Sequence, residues 1–152
     1  MTIKTPIAIG LAGLVGEVAF EAYAWLVSPS LFGETLEPAN LVVGLLKKFV
    51  GIEIGYTPAF LIHFIVGALV FSTTVYLLAR LLKGRFLVAG LVAGLGLWFT
   101  AQGILAPLMG RSFMMDFGTY TQSSFIGHVG MTLIIAVVLK ALLATPEGRF
   151  TD

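Results

Sequence analysis

The chain has 152 residues, of which 58% are hydrophobic and only 11% charged, with mean hydropathy +1.00 and a net charge of +1. Soluble domains carry roughly 25% charged residues, so this composition points to a lipid-facing protein and away from nucleic-acid partners. The absence of cysteine excludes disulfides, thiolate metal sites and iron–sulfur clusters.

The length suits a single domain spanning residues 1–152. Lys4, an apolar run and Ala22-Tyr23-Ala24 imitate a signal peptide, but Glu17 and Glu21 interrupt the run, so it is read as a retained helix. The first predicted span covers residues 6–27, with Pro6 in its opening turn and Pro29 closing it. Ala12 and Gly16 form a small-xxx-small pair that lets another helix approach closely. Glu17 and Glu21, at i,i+4, share one face. Two ionised carboxylates there would repel each other and lose hydration, so at least one is expected to hold a proton.

Residues 28–55 are too long for a plain turn. Their apolar middle, 41–52 with Lys47 and Lys48, predicts a short helix at the membrane interface or tucked over the bundle. The second span, 58–80, carries His63, and a basic turn of Lys83, Gly84 and Arg85 follows it. The third, 86–106, has Ala89, Gly90, Ala93 and Gly94, then Trp98 and Gln102 on one face before Pro107. A loop with Arg111, Met114, Met115 and Asp116 leads to the fourth span, 122–143, which holds Ser124, His128 and Met131 at helical spacing.

The expected fold is therefore all-α, an integral membrane four-helix bundle with an interfacial helix in its first loop. Small-residue faces suggest a homodimer or a place in a larger membrane complex. Of the basic residues, Lys4, Arg80, Lys83, Arg85, Lys140 and Arg149 fall on one side, and Lys47, Lys48 and Arg111 on the other. The positive-inside rule then puts both termini in the cytoplasm. The halves echo each other as pseudo-repeated helix pairs: Ala12-Gly13-Leu14-Val15 returns as Ala89-Gly90-Leu91-Val92, and Tyr56-Thr57 before His63 as Tyr120-Thr121 before His128.

An ionisable residue inside such a span is a functional candidate by default. By the helical rise, His63, His128, Glu21 and Gln102 all fall roughly 8–12 Å inside the same boundary, with Glu17 one turn deeper. Four readings fit that layer. Glu21 and Gln102 could each hydrogen-bond one histidine and simply join helices. His63 and His128 could be the axial ligands of a b-type haem, with Gly67 and Gly130 leaving room for the ring and Arg111 meeting a propionate. His63, His128, Glu17 and Glu21 could hold a divalent metal ion, as helix-bundle cores do. Glu17, Glu21 and His63 could also pass protons or a small solute. Methionine-rich loops bring copper(I) to mind, although methionine at a rim is more often packing.

The pattern His63-Phe64-x-x-Gly67, Trp98-x(8)-Pro107-Leu108-x-Gly110 and Thr121-x(6)-His128 resembles small four-helix bacterial inner-membrane proteins of uncharacterised function. That resemblance implies a fold and a bacterial inner-membrane location, and supplies no mechanism. The preferred functional expectation is a haem-binding redox subunit in electron transport. The rivals are a cofactor-free accessory subunit and a small cation or proton carrier.

Overall fold

The computed structural model describes residues 4–143, so Arg149 and the expected C-terminal tail lie outside the described residues. Among these residues the fold is entirely helical. Four helices are long and apolar enough to cross a membrane: α1 (Thr5–Phe32), α3 (Tyr56–Leu81), α4 (Phe86–Leu108) and α5 (Thr119–Leu143). The short α2 occupies residues 39–50 between the first two. Leu61, Ile65, Leu69 and Leu77 lie exposed along α3, and Leu11, Leu14 and Val18 along α1. Outward apolar faces of this extent call for an apolar surrounding.

The straight α5 is the spine. It buries Ser124, Gly127, His128, Met131, Thr132, Ile135, Ala136 and Leu139, one stripe at helical spacing, between α1 and α4. The helices meet through small residues. A Cβ at Gly13 would run into the backbone of Ala68, and one at Gly90 or Gly94 into α5 at Thr132, Val129 or Ala136. Gly13, Gly16, Gly90 and Gly94 thus let backbones cross closely inside the bundle, while Gly10, Gly96 and Gly130 meet nothing within 4 Å.

The predicted proline stops differ from what is observed. Helix α1 continues through Pro29 to Phe32 and ends at Gly33 (φ 69°), and α4 continues through Pro107 and ends before Gly110 (φ 84°). A π-helical turn precedes each proline, over Tyr23–Val27 and Thr100–Leu105. It breaks the i→i−4 ladder, so the missing proline N–H falls in a first-turn position where it costs little. Among the four long helices a third π-turn, Gly67–Phe71, follows His63 in α3. All three lie beside the polar layer, where such turns often mark function.

Helix α2 is tucked over the bundle. It packs against the first half of α3, and Gly44 sits against the Met109 side chain at the end of α4. Lys48 Nζ donates to the Leu108 carbonyl at 2.5 Å. Beyond it, Lys47 pairs with Glu53 at 2.7 Å. That hydrogen bond holds Lys47 above and Glu53 below their ordinary ranges, but both are solvent-exposed and the pair adds little stability. Helix α3 closes against α4 mainly through Ser72–Leu81, and the first half of α3 packs on α2 instead.

Candidate functional site

The site grows from helix α1. Glu17 and Glu21 point from it toward His63 on α3, and Glu17 is fully buried. His63 Nδ1 lies 3.3 Å from Glu17 Oε1 and 3.9 Å from Glu21 Oε1. One ligand atom from each of the three falls within 4.8 Å of the others. The groups are close, yet they are not aligned as hydrogen bonds. Both Glu17 oxygens, Glu21 Oε1 and His63 Nδ1 are buried without a hydrogen-bond partner. Trp25 Nε1 donates to Glu21 Oε2 at 3.0 Å and fixes that carboxylate from outside.

Gly67 makes the arrangement possible. It stands one turn after His63, and a Cβ there would land on the Glu17 carboxyl group. The space expected to receive a porphyrin therefore receives a carboxylate. Gly130 has no atom within 4 Å of where its Cβ would stand. Gly127 instead receives the ring of Phe20. Phe20 lies against both imidazoles, with ring centroids 6.2 Å from His63 and 5.6 Å from His128.

His128 belongs to a second polar group. Its Nδ1 lies 2.8 Å from the Ser124 carbonyl and 3.2 Å from Ser124 Oγ. Gln102 Nε2 donates to the same hydroxyl at 3.1 Å, so Gln102 reaches the histidine through Ser124. Gln102 Oε1 is buried and unpartnered. A carbonyl only accepts, so Nδ1 carries the proton and Nε2 is the free ring nitrogen.

The two groups border one cavity of about 400 Å³ between α2, α3, α4 and α5. His63, His128, Gln102 and Ser124 contribute to its wall, as do Glu37, Tyr120 and Arg111. Arg111 is exposed, its Nη1 3.7 Å from Met115 Sδ.

The chain matches no protein-family model, no curated protein and no solved structure. Its function therefore rests on its own geometry.

The expected layer of Glu21, Gln102 and two histidines separates into these neighbouring groups. Glu17 comes closer to His63 than Glu21 does, and His128 stands outside the carboxylate cluster. Sequence reasoning gave no part to Trp25, although its i,i+4 spacing from Glu21 signals the contact. It also missed the bridging role of Ser124, one turn before His128. Phe20 and the cavity had no signal in the sequence, because both depend on how α2 and α3 sit.

Proposed function

We propose that this is an integral membrane protein, with both termini cytoplasmic, that binds a divalent transition-metal ion between Glu17, Glu21 and His63. The observation that carries the reading is Glu17: a fully buried carboxyl group with neither oxygen hydrogen-bonded, turned toward an imidazole and a second carboxylate. Leaving such a group unsatisfied is costly. A dication cancels the charge of two ionised carboxylates, which makes the cluster neutral in a medium that penalises net charge. One imidazole and two carboxylates suit zinc, manganese or iron, whereas calcium prefers six or more oxygens. His63 also borders the cavity, which gives the ion a path to the cluster from the α2 end. The protein is then a carrier or store of that ion in a bacterial inner membrane. The similar endings of α1 and α4, each a π-turn, a proline and a positive-φ glycine, support duplication of a two-helix unit.

The test is calorimetric titration of the detergent-purified protein with zinc or manganese. One ion per chain should bind, and Glu17→Gln should weaken it at least about tenfold. Equal binding by the variant, or none by the folded wild type, would overturn the reading.

A second reading places a b-type haem between His63 and His128, as part of a redox subunit. It draws on the two imidazoles bordering one cavity, with Arg111 also on its wall. The Glu17 carboxylate at Gly67 weighs against it. Protein purified from haem-replete cells decides it: a Soret band supports haem, and a colourless protein removes it and leaves the accessory-subunit alternative.

A further inference from the structure

The cavity under α2 is not needed to hold a metal ion at the carboxylates, and its own chemistry differs from theirs. Leu41 and Leu45 of α2, Val66 of α3, and Leu97 and Leu105 of α4 give it aliphatic walls. Its volume, about 400 Å³, lies in the range of small-molecule sites, which run from roughly 300 to 1,000 Å³. Protein interiors are otherwise packed to crystal density, so a space of this size is a feature to be explained.

The wall also carries Glu37, Asn40, Arg111 and Tyr120, but the groups on it that await a donor are two, on His128 and Gln102. His128 gives its Nδ1 proton to the Ser124 carbonyl, which leaves Nε2 as a lone-pair acceptor. Gln102 spends its Nε2 on Ser124 Oγ and keeps Oε1 as a buried acceptor without a donor. A ligand that completes them has to bring a hydrogen-bond donor. The one carboxylate on the wall, Glu37, is exposed and already accepts from Asn40 Nδ2 at 2.8 Å, and Arg111 on the same wall balances its charge, so a neutral hydroxyl fits better than an ammonium group.

We propose that this cavity binds a lipophilic alcohol or phenol, its apolar body against the aliphatic walls and its hydroxyl donating to His128 Nε2. The roof is α2, seated by Gly44 against Met109 and tied by Lys48 to the Leu108 carbonyl. The inference stands apart from the metal reading and shares with it only His63, which borders both places.

The experiment follows quenching of Trp98, which α4 carries one residue after the cavity-lining Leu97. The detergent-purified protein is titrated with 1-naphthol and with 1-methoxynaphthalene, which keeps the rings and loses the donor. The phenol should bind at least about tenfold tighter, because a site built to receive a hydroxyl rejects the analogue lacking it. His128→Phe should abolish that preference while leaving zinc binding intact. Glu17→Gln should do the opposite, so failure of either proposal is seen separately. Should His128→Phe fail to fold, Ala101→Phe, which fills the cavity from α4, should remove phenol binding by volume alone. A hydroquinone with a decyl chain then identifies the source. Tenfold tighter binding than the tail-less ring means a membrane quinol, and equal binding means a free phenol. Equal affinity for naphthol and its methyl ether, no binding of either, or a haem spectrum in the purified protein would each overturn the proposal.

Discussion

Replacing Glu17 by methionine should stabilise the metal-free protein, an unusual direction for a change at a buried residue. The wild-type carboxyl group has no exposed surface, and neither of its oxygens has a hydrogen-bond partner. A buried polar group left in that state costs about 1–3 kcal/mol, and more when it is charged. Methionine has a comparable length and a flexible thioether that fills irregular space, so it can lie in the hollow beside Gly67 without opening a void. His63 Nδ1 loses a neighbour at 3.3 Å but no aligned hydrogen bond, because none is formed there. The expected gain is thus about 1–3 kcal/mol, read as a higher unfolding temperature in detergent with a chelator present. Adding zinc to one hundred times the wild-type dissociation constant should stabilise the wild type by about 2.7 kcal/mol and a variant that binds tenfold or more weakly by about 1.4 kcal/mol at most. The reasoning fails if Glu17→Met is less stable than wild type under chelation and gains as much from metal.

Three other outcomes can be checked directly. Gly94→Val puts a branched side chain where Thr132 and the backbone of Val129 already stand, and should cost at least about 1–3 kcal/mol by forcing α4 from α5, measured by thermal unfolding in detergent. Ser123→Ala removes the hydroxyl that Tyr23 and Ser28 meet at 2.9 and 2.6 Å, but each keeps a backbone acceptor, on Ser123 and Glu34, so the same assay should show a loss of about 0.5–1.5 kcal/mol. A reporter at Asp116 should be active only outside the cytoplasm, and one fused at the C-terminus only within it; the reverse pattern would refute the charge-derived orientation.

Much of the architecture could be read from the chain because it depends on run length. Four apolar runs without full complements of charge must become helices, and rare polar groups stand out against them, which is how Glu17, Glu21, His63, His128 and Gln102 were found. The part that could not be read depends on crossing geometry. Whether Glu17 or Glu21 meets His63 more closely is decided by where α1 crosses α3, at Gly13 against Ala68, and by the hollow at Gly67. The sequence shows that glycine is there and not what fills the space it leaves. The separation of His128 from the carboxylates is of the same kind, since it depends on how α5 and α3 stand around α1. Pro29 and Pro107 misled as helix stops because the wide turns that accommodate them have no compositional mark.

Those wide turns carry one more consequence, for how the helices tolerate change in length. A π-turn holds about one residue more than the α-helical turn it replaces. Deleting Ala101 from α4 would let Thr100–Leu105 tighten into a regular helix without disturbing the stretch on either side. The same deletion in α5, which has no such turn, would rotate everything beyond it by roughly 100° and scatter the buried stripe. Of the four long helices, three therefore hold slack beside their polar residues, and the one they are built around holds none.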